Sequence, residues 1–526
     1  KCKYLLKICG DYVNIMLISD RGECEMKRKF KKAVCLGLSA LAMISCISGV
    51  SAVNTDKILS SRTITVDPSK VSDDFLLLSG AQSDEQDLIG ASNAIKEAAI
   101  EFAGSVNITE YNIDVSDAMT LFNYVRYQNP ELINVSNSVS YNYYSNGVIC
   151  DFYLNYLFTA DEKDSYFTPF NAVVDDIVKQ AKKQPTDFLK ALYVHDYIIA
   201  NSEYATEIYD PVETVSGFVY NAYGNLVNGR AVCQGYSMAY KAIMDKLNIP
   251  VDFASSTEMN HIWNTMTIDG STYHVDLTFD DPVPDIQGYV GHSNFLCTDE
   301  EITATDHSSW TTSSTISAEA YPNRFWKDIT SKIVIRGNEA VYAAYDSTKK
   351  SYLERRNLTT NEASVIDSSL NGTRWLTSSG TSYFAGCFSR IELVGDVLYY
   401  SLPGGVNAIT IYGDDDQSVY SVPGTATGSM FGFVRRDGKY YGELTTSPST
   451  DGEISEITLS EFKRSVIPGD VNGDGVLTML DALMIQKHTV QLITLDANAF
   501  KVADMNGDGK ISIIDALILQ QAVLTM

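Results

Sequence analysis

Residues 229–240, GRAVCQGYSMAY, set a cysteine between a glycine-containing turn and a run with helical spacing. A free cysteine ordinarily packs as a small apolar group, so Cys233 is a reactive thiol only if distant parts of the chain supply partners. A thiol nucleophile needs a base to take its proton, and the base needs an acceptor that orients it. Downstream, His261 stands in NHIWN and Asp276 in YHVDLTFDDP. If STYHVDLTF is a strand, Thr272, His274 and Asp276 share one face, and a hairpin through IDGST brings Asp276 beside His261. A helix beginning at Cys233 would turn its positive end toward the sulfur and offer backbone N–H groups to an oxyanion.

The 526 residues predict two to four domains, and a formal charge of −26 argues against nucleic-acid binding through a general basic surface. The first 52 residues differ, with nine Lys/Arg against four Asp/Glu. From Met26, MKRKFKKAVCLGLSALAMISCISGVSAV has the basic, apolar and small-residue regions of a secretory signal peptide, expected over 26–52, with 1–25 an upstream extension. A lipoprotein reading through Cys46 is the alternative, and Met43 departs from it. No later apolar run is long enough to span a membrane, so the mature protein is expected to be soluble. Four of the nine cysteines follow the leader: Cys150, Cys233, Cys297 and Cys387. They form no CxxC, which argues against both a zinc site and a dense disulfide framework.

Residues 55–169 combine an amphipathic helix (EQDLIGASNAIKEAAIEFAG) with tyrosine-rich alternation (VSYNYYSNGVICDFYLNYLF), an α+β lead-in. Helical spacing returns in PFNAVVDDIVKQAKK and PTDFLKALYVHDYIIANSEY; His195, on the latter, is expected to be structural. HSSWTTSSTISA marks an expected linker over 307–329. Residues 330–465 show short strands in three blade-like groups, a β-rich repeat module.

Two segments at the C-terminus repeat at an offset of 34, GDVNGDGVLTMLDALMIQ and ADMNGDGKISIIDALILQ. Oxygen donors fall at loop positions 1, 3, 5, 9 and 12: Asp470, Asn472, Asp474, Thr478 and Asp481, then Asp504, Asn506, Asp508, Ser512 and Asp515. Gly475 and Gly509 allow the sharp turn, and Val476 and Lys510 supply position-7 carbonyls, so each loop is expected to bind one calcium ion. Aspartate in place of glutamate at position 12, no full helix before the first loop, and the duplication itself resemble the type I dockerin over 469–526. That resemblance implies a cohesin module of a scaffoldin as partner and a secreted, cellulosome-associated protein. It assigns partner selection to positions 10 and 11 of each loop, Met479 and Leu480, and Ile513 and Ile514. Their apolar character in both halves suggests docking in either of two orientations.

The blocks GRAVCQGYSMAY, HIWNTMTIDGSTYHVDLTFDDP and FLCTDEEI together resemble the transglutaminase-like superfamily, a papain-related fold, over 170–306. The resemblance implies Cys233 as nucleophile, His261 as base and Asp276 as its orienting acceptor, acting on peptide or amide bonds without a catalytic cofactor. Phe279 stands where the family often has tryptophan. The expected fold class is multidomain: an α+β papain/transglutaminase-like domain, a β-rich repeat module and a small all-α calcium-binding dockerin. Two rival readings stay open: a polysaccharide-degrading glycosyl hydrolase, for which no carboxylate pair is evident, and a non-catalytic binding or scaffolding component.

Overall fold

Apolar residues recurring every three to four positions from Leu88 to Ala99 face one core, and Asp84 caps the resulting helix, Glu85–Ile100 (α1), by accepting from the Gln86 N–H. The computed structural model describes residues 3–9, 12–18, 58–65 and 81–525, apart from 211, 378, 396, 412, 465 and 466. It divides into two units, Lys1–Ile58 and Leu59–Met526. In the first, strands Lys3–Cys9 and Tyr12–Ile18 pair antiparallel. The expected signal peptide, 26–52, lies outside the described residues.

In the second unit, α1 packs with Ala118–Gln128 (α2) and with the hairpin of Val135–Tyr144 (β1) and Ile149–Tyr156 (β2). Leu88, Ile95, Leu121, Phe122 and Phe152 form their shared core. The expected edge between residues 169 and 170 falls inside a helix, Lys163–Ala181 (α3), which contains Pro169. Proline suggests a break in sequence. Here the apolar stripe of Phe170, Val174 and Ile177 continues past it into the main core.

Asp187–Ala200 (α4) and α3 both pack on Cys233–Lys246 (α5), and α5 lies on a five-stranded antiparallel sheet. Its strands are Val251–Ser256 (β3), His261–Ile268 (β4), Ser271–Val275 (β5), Phe295–Cys297 (β6) and Thr311–Thr312 (β7), in the order β6-β5-β4-β3-β7. The expected IDGST hairpin is present, with Asp269 and Gly270 at positive φ, as a two-residue turn between twisted strands requires. Motif residues join helix to sheet. Ser237 Oγ donates to the Ile262 carbonyl at 3.2 Å, and Asn264 Nδ2 donates to the Ser237 carbonyl at 3.2 Å. Gly235 is required by close approach, because a Cβ there would lie 2.6 Å from Ala231 Cβ and 2.7 Å from the Val219 carbonyl.

Residues 307–329 are not a linker. Thr311 and Thr312 pair with Ser255 and Ala254 as the edge strand β7, and Trp326, 1% exposed, sits in the main core against Phe295 and Phe188. Burying that ring contributes roughly 3 kcal/mol, more than a solvated connector would give. The Ser/Thr-rich composition conceals an edge strand and a core anchor.

Beyond residue 330 come three antiparallel sheets of four, four and three strands, spanning Val334–Ile366, Ile391–Ser421 and Ser429–Ile457. Trp375, Phe388, Ile391 and Phe431 form a core into which Ile286 inserts from the loop after β5. Gly288 in that loop, at φ +78°, leaves no room for a side chain, since a Cβ would meet the Phe433 carbonyl at 2.2 Å. Helices Met479–Thr489 (α6), Ala497–Ala503 (α7) and Ile513–Thr525 (α8) form the C-terminal part around Ala482, Ile485, Ala516 and Leu519. No helix among the described residues is long and apolar enough to cross a membrane.

Candidate active site

Cys233 is the first residue of α5 and 5% exposed; the extended Val232 before it provides no side-chain cap. The first N–H groups of the helix are therefore left without a side-chain acceptor beside the sulfur. His261 opens β4, and Asp276 follows the end of β5. The register pairs Asn264 with Val275 and Thr265 with His274, which brings Asp276 one diagonal step from His261.

His261 Nε2 meets Asp276 Oδ2 at 2.5 Å, both groups buried. With Nε2 engaged there, Nδ1 is the ring nitrogen left for another partner, and Cys233 is near enough to favour the imidazolium. Burial alone would push His261 down, but the Asp276 carboxylate, with Cys233, overrides it and takes the group up to about 10. The imidazolium therefore persists through neutral pH and is lost as pH rises through about 10. Burial pushes Asp276 up, yet His261 and His307 hold it well below the usual carboxylate range. Asp276 Oδ1 is fixed independently by the N–H groups of Thr278 at 2.9 Å and Phe279 at 3.2 Å.

The Trp263 ring stacks on His261 with centroids 5.5 Å apart, and Phe279 lies 4.8 Å from it on the way to solvent. His274, the other histidine of the hairpin, accepts the Trp263 Nε1–H at Nδ1 (3.0 Å) and donates from Nε2 to Asp299 at 2.9 Å. Both its nitrogens are engaged and burial pushes its basicity down, so it steadies Trp263 under His261. Cys150, Cys297 and Cys387 are buried and free, and burial pushes each thiol up, Cys297 to about 12. The sequence gives no sign of His307, whose Nε2 lies 2.8 Å from Asp276 Oδ2.

A second buried network stands behind the first. His195 lies between Asp196 (3.1 Å) and Asp280 (3.2 Å), and His292 bonds Asp196 at 3.0 Å and the Ile329 carbonyl at 2.8 Å. Asp196 also accepts the Ile333 N–H, and Asp280 accepts from Asn294. Burial lowers His195, but the two carboxylates outweigh it and raise it to about 9. Every partner here is internal, and one ligand atom each of His195, Asp196 and His292 lie within 4.8 Å of one another, close enough to hold a metal ion. The network ties α4 to the loop that follows Asp276.

A cavity of about 610 Å³ opens between the segments that flank the site, 203–206, Arg230 and 282–285, and the β-rich module. Its wall includes Arg230, three residues before Cys233, and Tyr204, whose hydroxyl is pushed up first by burial and then by the charge of Cys233. Across it, Asp285 is raised to about 6 by burial and by Glu443 from the third sheet of the β-rich module. The volume suits a short extended segment or one long side chain.

In the two C-terminal loops the donor set fits a hard cation. Asp470 and Asp504 fold around the N–H groups of residues 474 and 475 and of residues 508 and 509, with glycines at positive φ at 473, 475, 507 and 509. Burial and the facing charges of Asp481 and Asp474 push the Asp470 carboxyl up, a repulsion that a bound cation would relieve. Asn472, Asp474, Asn506 and Asp508 stand at the expected positions, with Val476 and Lys510 following. Thr478 and Ser512, at position 9, also cap the helices that follow, each hydroxyl donating to Asp481 or Asp515 at 2.9 Å and accepting the N–H of residue 480 or 514. Met479, Leu480, Ile513 and Ile514 are all exposed, as are Leu483 and Leu517 one turn on, which extends the apolar face in both halves.

Residues 468–524 match the Dockerin type I domain. No curated protein matches the chain. Among solved structures, a transglutaminase is 13% identical, with 29% of this chain and 47% of that one covered at a TM-score of 0.19. A candidate cysteine protease from Cytophaga hutchinsonii is 16% identical, with 27% and 58% covered at a TM-score of 0.17. The chain thus spans about half the length of the solved structures it matches, and likeness at these TM-scores carries no weight for its chemistry.

Proposed function

We propose that the protein is a thiol enzyme of the transglutaminase-like kind that attacks peptide or amide carbonyls and is tethered by its dockerin to a cohesin. The observation that carries the reading is the buried His261–Asp276 pair at 2.5 Å, in the same core as a cysteine at a helix N-terminus, Cys233. The Cys233 sulfur adds to the carbonyl carbon, and the oxyanion is received by the N–H groups that open α5. The carbon–nitrogen bond then breaks as His261 passes its proton to the leaving amine, while Asp276 orients the ring and stabilises its cation. The thioester left on Cys233 goes to water, which yields an acid and the free thiol, or to a primary amine, which yields a new amide. Substrate enters through the cavity beside Arg230 and Tyr204, bounded on its far side by the β-rich module.

The dockerin match implies docking to a scaffoldin cohesin in an extracellular cellulosome. Asp470, Asn472, Asp474 and Asp481 hold one calcium ion with the Val476 carbonyl; Asp504, Asn506, Asp508 and Asp515 hold a second with the Lys510 carbonyl. Thr478 and Ser512, at position 9, reach the ion directly or through water while they cap the helices. Incubating the protein with a peptide mixture and a labelled primary amine, read by mass, tests the enzymatic reading. Shortened peptides are expected if water is the acceptor and tagged peptides if the amine is, whereas peptides left intact under every condition would contradict it.

A further inference from the structure

We propose that His307 is a positioning residue for the Cys233–His261 pair: by donating its Nε2–H to the Asp276 oxygen that His261 also uses, it limits the carboxylate's hold on the His261 proton. This rests on the reading of Cys233, His261 and Asp276 given above. Two backbone N–H groups already orient Asp276 through Oδ1, so the carboxylate needs no third bond to be held in place. The His307 bond goes instead to Oδ2, at 2.8 Å, where it competes with His261. A hydrogen bond to an ionised carboxylate draws charge from it and weakens its pull on a second donor. A general acid held too firmly by its partner gives up its proton slowly to the leaving group.

The placement of the ring is built in. His307 is 1% exposed; the Thr305 hydroxyl, 3.3 Å from Nδ1, can donate to it, and its ring meets Trp263 edge-on at 4.9 Å and Phe279 at 4.3 Å. The ionisable groups around it are Asp276 and His261 directly, Cys233 beyond His261, His274 with Asp299 across Trp263, and the exposed neighbour Asp306. Among the described residues of the hairpin and its surroundings, only His307 shares the triad's carboxylate oxygen with His261.

The test uses the full chain and iodoacetate, an anion whose attack on Cys233 is assisted by the neighbouring imidazolium and falls off when His261 loses its proton. In wild type the descending limb is expected near pH 10, from His261. In His307→Phe, which removes the donor, the limb moves up by about one pH unit. With a peptide substrate the same variant loses about tenfold in kcat with KM unchanged. His307→Gln, whose amide can donate to Oδ2, restores both. His307→Asn, whose shorter amide stops short of Asp276, repeats the phenylalanine test should that variant not fold. A limb that stays put in all variants, or Gln behaving like Phe, overturns the role of His307 while leaving the Cys233–His261 pairing intact. A wild-type profile with no descending limb overturns that pairing, and this proposal with it.

Discussion

Cys233→Ala is expected to lower amide turnover by at least about 10⁴-fold while the protein stays folded. The sulfur is the atom that bonds to the acyl carbon, so its loss removes the thioester and the route through it; residual rate comes only from binding and the helix N-terminus. The fold tolerates the change because Cys233 lies at the start of α5, where alanine keeps the backbone and removes one small group. His261→Ala is expected to cost nearly as much, and the double variant little more, because the two act as a unit. Alanine at Cys150, Cys297 or Cys387, each a buried thiol whose basicity burial raises, leaves turnover largely unchanged. Comparing these six variants in the peptide and labelled-amine assay decides the point, and turnover that survives in Cys233→Ala would refute the scheme.

Removal of calcium is the second large effect. Chelation is expected to cut cohesin affinity at least ~100-fold and to melt α6 and α8, since the loops that precede both helices are lined with carboxylates that repel one another without a cation. Amide turnover stays as it was, because Cys233, His261 and Asp276 draw no group from the loops. Calorimetry with and without chelator measures binding, and circular dichroism of the C-terminal segment follows the helices. Undiminished cohesin binding in chelator would contradict the assignment of Asp470 and Asp504 as ligands. Asp470→Ala and Asp504→Ala together should reproduce the chelated state.

The place of Cys233 at a helix start and the meeting of His261 with Asp276 were legible in the chain because each sits in a short local pattern whose geometry follows from element type. Cys233 stands where a turn becomes a helix, and His261 and Asp276 stand on the two arms of one hairpin. The calcium loops were legible for the same reason, as ligand spacing within a dozen residues. His307 was not legible, since it reaches Asp276 across 31 residues from a Ser/Thr-rich stretch that carries no periodicity. That stretch passes for a linker because Thr311 and Thr312 make a two-residue edge strand and Trp326 is a lone anchor. The edge expected at 169, set by where the resemblance begins, falls inside a helix that runs through Pro169 with its apolar face continuing beyond it. The capping of α6 and α8 by Thr478 and Ser512 was hidden in another way. A hydroxyl at position 9 suits both a ligand and an N-cap, and the bonds to Asp481 and Asp515 bring out the capping.

Brief iodoacetamide treatment at neutral pH, followed by peptide mapping, tests most directly whether Cys233 is an activated thiol. Alkylation at Cys233 is predicted to outpace that at Cys150, Cys297 and Cys387 by at least about tenfold, and to lose that lead in His261→Ala. Equal labelling of the four cysteines, or a Cys233 rate that does not change when His261 is removed, would contradict the account.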